Sequence, residues 1–515
     1  MSYVKRKEIL VVIFCLLLGF CLRFYTFDQK SLWIDEIHTF NDSRDDLRGQ
    51  MRFYKENPSY LHPPLFFILT HQFYPFNKPE RDLRIIPLIF GTLSIPMIYL
   101  LAKQFSSVIA LPCALSLSFM AYHISLSQDG RSYSLLMFLG MAGLYFFVKH
   151  LKTSKNGYLL LVALFFSLLF YTSYSSIPFI VLSQILWFYR PNEETKKPTL
   201  SSFLILNGLI LLFCLPWILF LVLNYHSQPL VHPHEFKAFL SFWDVLSGIF
   251  NDWTPYAPLT IVSVILLISL LLFSGSRRNA ILLIGVFILP IGGLFLYCRL
   301  FGVSHFISSR YFINFLPLFI IALYLSLNAV EKRFLIVNKF IRFRFLFIIL
   351  FIASNLVILP LYYRAEKEDF RGLVNYLKGH LRGGDKLFDS EMAFTPGILH
   401  YFGVYPEKRH HEIPYYKVSE NEIEFRKSFV YKNNRYTIYY SQTCCTQYLS
   451  NEGRLWIIGG SGTLDKIKRN SPCVLKGYFD GSFLNFNKFP TDASIYLFLW
   501  NPQSPLEEGI DMPIN

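Results

Sequence analysis

Through most of the first 363 residues, long apolar runs alternate with short polar breaks. Runs close to the ~20 residues that cross a hydrocarbon core recur at Ile9–Phe27, Leu83–Ala102, Val108–Leu126, Tyr133–Val148, Tyr158–Thr172, Ser176–Phe188, Leu200–Leu223, Pro258–Phe273, Ala280–Tyr297, Tyr311–Leu327 and Phe345–Tyr362. Length and hydropathy predict about eleven membrane-spanning helices. Tyr158–Phe188 is too long for one helix and divides near Tyr174, where YTSYSSIP supplies a polar break and a proline. Pro63–Pro75 is too short to span, holds His71 and ends in proline, so it is expected to lie flat at the interface.

After Tyr363 the pattern changes. In EKEDFRGLVNYLKGHLRGGD, Phe370, Leu373, Val374, Leu377 and Leu381 share one helical face, and Gly383-Gly384 ends it. KLFD, RLWII and SIYLFLW read as strands, FTPGILHYFG as a helix and the last fifteen residues as coil. The expected fold is an α-helical polytopic membrane domain over residues 1–363, with a first external loop at 28–82, and a small α/β domain over 364–515. No internal repeat is visible.

Composition agrees: 53% of the chain is hydrophobic and only 16% charged, against about 25% charged in a soluble domain. Net charge is +14, but no basic stripe accompanies a recognition fold, which argues against nucleic acid as a partner. The cations serve topology instead. With Pro63–Pro75 flat, Lys5/Arg6/Lys7, Lys103, Lys149/Lys152/Lys155, Arg190/Lys196/Lys197, Arg277/Arg278 and the Lys332–Arg344 group share one side. The opposite short loops hold little beyond Arg131, Arg299 and Arg310. The positive-inside rule then puts the N-terminus in the cytoplasm and the C-terminal domain outside. The basic start and apolar first run lack a small-residue cleavage site, so that run is expected to be a retained span. Cys15, Cys21, Cys113 and Cys214 lie in apolar runs, and Cys473 has Cys444 or Cys445 as its only plausible bridge partners in the polar domain.

The outer loops gather the chemistry. SLWIDE carries Asp35 and Glu36, HPPL carries His62, Arg84 opens a span, QDGRSY carries Asp129 and Arg131, and SRYF carries Arg310. Each alone reads as an interfacial anchor. Together, a carboxylate among cations on one membrane face suits transfer from an anionic lipid donor. The carboxylate accepts a proton from a hydroxyl, and the cations hold the departing phosphate. An Asp-Glu pair also leaves a divalent ion open as a cofactor.

SLWIDE, HPPLFFIL, RDLRIIPLIFGTLSIPMIYLLAKQF and SLSQDGRSYSLL, in that order and spacing, resemble the bacterial members of the dolichyl-phosphate-mannose–protein mannosyltransferase family. These are GT-C glycosyltransferases, and they include aminoarabinose transferases that modify lipid A. SRYFINFLPLF and KEDFRGLVNYLKGHLRGGDKLF resemble later parts of the same proteins. The resemblance implies a first external loop with two short juxtamembrane helices, a polyprenyl-phosphate-linked monosaccharide donor and an inverting reaction. The acceptor would be a lipid, glycan or protein hydroxyl at the outer face of a bacterial plasma membrane. Asp35 matches the catalytic acid, with Glu36 as helper. His62 and Arg131 match phosphate-side positions, with Arg84 and Arg310 as further phosphate ligands. Gln128-Asp129-Gly130-Arg131 departs from the common loop pattern and makes Asp129 a candidate second acid. Three rivals remain: a ligase or polymerase using a lipid-diphosphate oligosaccharide, a transporter or lipid flippase, and a membrane-anchored binding module. A transporter should show inverted repeats and mid-membrane ionisable groups, and neither is evident. A binding module leaves the outer-face cluster unexplained.

Overall fold

The computed structural model describes residues 3–56, 61–189, 199–225, 242–300, 308–333, 343–390, 394–404, 417–419, 422–424, 428–432, 436–441, 453–462, 473–481 and 493–502. It opens with α1 (Tyr3–Phe24). Short helices follow: α2 (Ile34–Asp42), α3 (Leu47–Glu56), α4 (Leu65–His71) and α5 (Pro79–Asp82). The apolar helices are α6 (Ile85–Phe105), α7 (Ser107–Phe119), α8 (Ala121–Ser127), α9 (Tyr133–Thr153), α10 (Gly157–Thr172), α11 (Ile177–Ser183, flanked by single 3-10 turns) and α12 (Leu200–Asn224). After these come α13 (Phe242–Trp253), α14 (Ala257–Phe273), α15 (Arg277–Leu300), α16 (Leu316–Arg333) and α17 (Phe343–Arg364).

Each of the eleven expected apolar runs coincides with helix. Among the described residues, five helices are long and apolar enough to span, or up to eight if each bent pair counts as one. Pro63–Pro75 does not span: α4 has seven residues, about 10 Å of helix. The loop 28–82 carries four short helices, α2 to α5, not two: Ser43-Arg44-Asp45-Asp46 separates α2 from α3, and Pro79 opens α5. The stretch 224–257, expected to be loop, holds α13, which meets α14 at 102°.

Broken helices need partners for their freed backbone groups, because lipid offers none. The 61° break between α7 and α8 is satisfied from two other helices. Arg23, fully buried on α1, donates to the carbonyls of Leu117 (2.8 Å) and Ser118 (3.2 Å). Its guanidinium also lies 2.8 Å from His123 Nδ1. Asn355 Oδ1 on α17 accepts from the Ala121 amide at 2.9 Å. The break thereby fixes where the loop after α8, which carries Asp129 and Arg131, leaves the bundle.

The C-terminal domain begins with α18 (Phe370–His380), capped by Asp369, whose Oδ1 accepts from Gly372 N at 2.8 Å. The chain turns at Gly384, whose φ of +86° lies in the left-handed region that favours glycine. Then come β1 (Asp385–Asp389), α19 (Thr395–Phe402), β2 (Lys417–Ser419), β3 (Glu422–Glu424), β4 (Ser428–Lys432), β5 (Tyr436–Ser441), β6 (Leu455–Gly459), β7 (Val474–Phe479) and β8 (Ile495–Trp500). The main sheet has the order β4-β5-β1-β6-β8-β7. β1 runs parallel to both β5 and β6, and the outer pairings are antiparallel. Every helix and strand expected in this domain forms, with β2, β3, β4, β5 and β7 in addition, and the expected coil beyond residue 502 lies outside the described residues. The bridge expected from Cys473 to Cys444 or Cys445 falls partly outside the described residues.

One apolar cluster joins the two parts. Phe370, Leu373, Val374 and Leu377 pack with Leu387, Ile398, Trp456 and Leu497, and also with Leu32, Ile37, Phe40, Phe76 and Leu83 of the external loop. The soluble domain therefore sits on the loop that carries Asp35. Replacing fully buried Phe370 with Ala should destabilise this seat by about 3–5 kcal/mol. Limited proteolysis of the full chain in detergent should show the C-terminal domain cut faster, with the membrane fragment intact.

Candidate active site

α2 starts at Ile34, so Asp35 and Glu36 lie in its first turn and point to different surroundings. Glu36 is 1% exposed. Its two oxygens accept from Arg84 Nε and Nη2, both at 2.7 Å, and Oε1 also accepts from the Gly130 amide at 2.6 Å. Arg84 is buried too, and donates to the carbonyls of Phe27, Lys30 and Ser31. A Cβ at Gly130 would come within 3.0 Å of Glu36 Oε1 and 3.3 Å of Leu83, so the position needs glycine for close approach. This corrects two expectations. Glu36 is not placed as a helper base, nor Arg84 as a phosphate ligand, because each has its hydrogen-bonding capacity taken up by the other and by backbone.

Asp35 faces the opposite way. Its side chain is 27% exposed and lies 3.4 Å from Arg310 Nη1, itself 21% exposed. Arg131 Nη1 donates to the Asp35 carbonyl at 3.1 Å and to Thr39 Oγ1 at 3.2 Å. Burial acts to raise the Asp35 carboxyl, but Arg131 first, then Arg310, His38 and Lys367, outweigh it and hold it below the usual aspartate range. His62 keeps open surface and lies within electrostatic reach of Arg131, His38 and Asp35. Burial is the main cause that lowers both His38 and His62 to about 4, so both rings are neutral at physiological pH. The fold brings Asp35, Arg131 and Arg310 together from three separate stretches, with His62 from a fourth within electrostatic reach.

Asp129 does not join them as a free acid. It is buried; Oδ1 accepts from Trp33 Nε1 at 2.9 Å, and Oδ2 pairs with Lys367 Nζ at 2.7 Å. Lys367 also lies 4.0 Å from the centre of the Trp33 ring, with Arg310 at 5.4 Å from the same ring. Glu368 accepts from the Ile34 amide at 2.7 Å. Its burial pushes it up to about 8, with Asp35 adding to the rise. Behind Arg310, Ser309 donates to buried Asp252 of α13 and bonds Tyr122. His38, Lys367, Glu368 and Asp252 were missed. His38 had a signal, three residues after Asp35 on one helical face. Lys367 and Glu368 looked like solvated lead-in to α18, and Asp252 looked like loop.

Among the described residues no three His, Cys, Asp or Glu side chains group as metal ligands. Glu36 is saturated by Arg84, and Asp35 faces cations, so this donor set does not fit a divalent ion.

Residues 61–220 match the family described as dolichyl-phosphate-mannose-protein mannosyltransferase. Over nearly its whole length the chain superposes on the crystal structure of ArnT from Cupriavidus metallidurans in the apo state. The TM-score is 0.56 and the identity 11%, covering 98% of this chain and 99% of that one. The chain thus has an ArnT-like fold, mostly helical with a small C-terminal sheet. The same ArnT bound to undecaprenyl phosphate gives a TM-score of 0.52 at 11% identity, covering 97% of this chain and 98% of that one. No curated protein sequence matches. Within this fold the candidate site lies where α2, the loop after α8, the turn before α16 and the connector after α17 converge.

Two outcomes follow. Glu36→Ala strands a buried guanidinium, so the purified chain should lose about 3–5 kcal/mol of stability. Adding Arg84→Ala should restore part of it, as read by thermal unfolding in detergent. Between about pH 4.5 and 8, folded Glu368 holds a proton that the unfolded chain releases, so stability falls as pH rises through that window. Glu368→Gln abolishes this contribution, and its melting temperature should drop less between pH 5 and 8 than that of the unmodified chain.

Proposed function

We propose that this protein transfers a monosaccharide from a polyprenyl-phosphate carrier to an acceptor hydroxyl at the outer face of a bacterial plasma membrane, with inversion. One observation carries the reading: a partly exposed aspartate held below its usual range by two arginines, Asp35 with Arg131 and Arg310. The fold match to a protein crystallised with undecaprenyl phosphate supports the same donor class.

In this mechanism the carrier phosphate enters beside Arg310 and Arg131. The Arg310–Asp35 pair is loose at 3.4 Å, so an incoming phosphate competes for the guanidinium. As Arg310 turns to the phosphate, Asp35 loses a cationic partner and becomes a stronger base. Asp35 takes the acceptor hydroxyl proton as that oxygen bonds to the anomeric carbon. The bond from that carbon to the phosphate oxygen breaks on the opposite side, and its electron pair leaves with the phosphate. The polyprenyl phosphate departs unprotonated, with its charge met by Arg131 and Arg310. Neutral His62 and His38 offer hydrogen bonds without adding charge. Glu36 and Arg84 act as the frame behind the base. The positive-inside bias of the loops supports an N-terminus in the cytoplasm and a site on the opposite side.

Asp35→Asn should lower transfer by about 10²–10⁴-fold, the range general-base catalysis supplies. Binding of undecaprenyl phosphate to the purified chain should stay within a few-fold. Mass spectrometry of envelope lipids, glycans and proteins from a deletion strain, complemented with each form, reads the transferred sugar. Full transfer by the Asn form would refute Asp35 as the base.

A further inference from the structure

The segment that delivers Asp35 is held through its main chain by the far end of the protein. Residues 31–34 lead into α2, and three of their backbone amides donate to side chains that follow the last membrane helix. Ser31 N donates to Glu366 Oε2 at 3.0 Å, Leu32 N to the Tyr401 hydroxyl at 2.7 Å, and Ile34 N to Glu368 Oε2 at 2.7 Å. The fourth, Trp33 N, turns to Glu36 within α2 itself. Ile34 is the first residue of α2, and its amide is one that no intrahelical carbonyl serves. Trp33 contributes no side-chain cap, and Glu368, 334 residues away in sequence, takes that place. Tyr401 is anchored in turn, since its hydroxyl donates to Glu80 Oε1 at 2.9 Å. Lys367, between the two glutamates, reaches Asp129 on the other side of Trp33.

We propose that Glu368 is a positioning residue for transfer: it caps α2 from the connector and thereby sets the orientation of Asp35 in the site. The proposal rests on the transferase reading above. Because Asp35 follows directly on the capped amide, loosening this bond lets the first turn of α2 fray, and the carboxylate moves relative to Arg131 and Arg310. Donor binding, carried by the arginines, should be spared. The chemical step, which needs the base aligned with the acceptor hydroxyl, should not.

Two variants break the same bond from opposite sides. Glu368→Ala removes the acceptor. Ile34→Pro removes the donor, and proline is well tolerated at the first helical position. Trp33, with φ −89° and ψ 171°, already has the extended conformation that a following proline requires. Glu368→Gln keeps an oxygen acceptor and serves as the conservative rescue. Each is made in the full chain, purified in detergent and tested for binding of undecaprenyl phosphate. Each also complements the deletion strain, where the transferred sugar is read by mass spectrometry. The expected result is a tenfold or greater loss of transfer for Glu368→Ala and for Ile34→Pro, with undecaprenyl phosphate affinity within twofold. The double variant should be no worse than either single one, and Glu368→Gln should retain at least half of the transfer. Additive losses in the double variant, a Gln form as impaired as the Ala form, or an Ala form within twofold of the unmodified chain would each overturn the proposal. If Asp35→Asn keeps full transfer in the same strain, the choice of base fails instead, whatever the Glu368 series shows.

Discussion

The buried pair of Glu36 and Arg84 is the joint on which the outer half of this molecule depends. A carboxylate and a guanidinium taken from water cost several kcal/mol each unless every donor and acceptor is met. Here they are met by two parallel hydrogen bonds, by the Gly130 amide and by three carbonyls of the connector between α1 and α2. The pair thereby ties four places in the chain to one point: the connector after α1, the start of α2, the start of α6 and the loop after α8. With Glu36 locked inward, Asp35 on the adjoining position of α2 is turned outward. Two neighbouring acids, alike in sequence, are thus given opposite duties by what surrounds them.

The same economy runs through the membrane part. Breaks between α7 and α8 and between α13 and α14 deliver polar loops to one end of the bundle. The first is affordable only because Arg23 and Asn355 replace the backbone partners that the helix gives up. The second brings Asp252 against Ser309, one residue before Arg310.

Much of this was legible in the sequence, for identifiable reasons. Apolar runs marked the helices because lipid imposes a length and tolerates few charges. Pro63–Pro75 forms only a short helix because the run is short and closed by proline. Charge bias pointed to one face for Asp35, His62, Arg131 and Arg310, and the fold brings Arg131 and Arg310 onto Asp35. What escaped were effects of partner choice. Nothing local distinguishes Asp35 from Glu36, and only the fold reveals that Arg84 chooses one of them. Lys367 and Glu368 look like ordinary charges before an amphipathic helix, because their partners lie more than two hundred residues away. Asp252 lay in a stretch read as loop, although Phe242, Val245, Leu246, Ile249, Phe250 and Trp253 recur at helical spacing and form the apolar face of α13.

The grip on residues 31–34 is made to amide hydrogens, which every residue but proline carries. A contact of that kind does not depend on which side chain Ile34 carries, whereas Leu32 and Ser31 are held besides through their own side chains, Leu32 in the apolar cluster and Ser31 by the Arg371 amide. The soluble domain keeps its hold as long as Glu366, Glu368 and Tyr401 keep their oxygens in place. Lineages carrying such a latch have room to remodel the outer surface of that domain, and with it the choice of what the domain meets, while the machinery beneath remains in register.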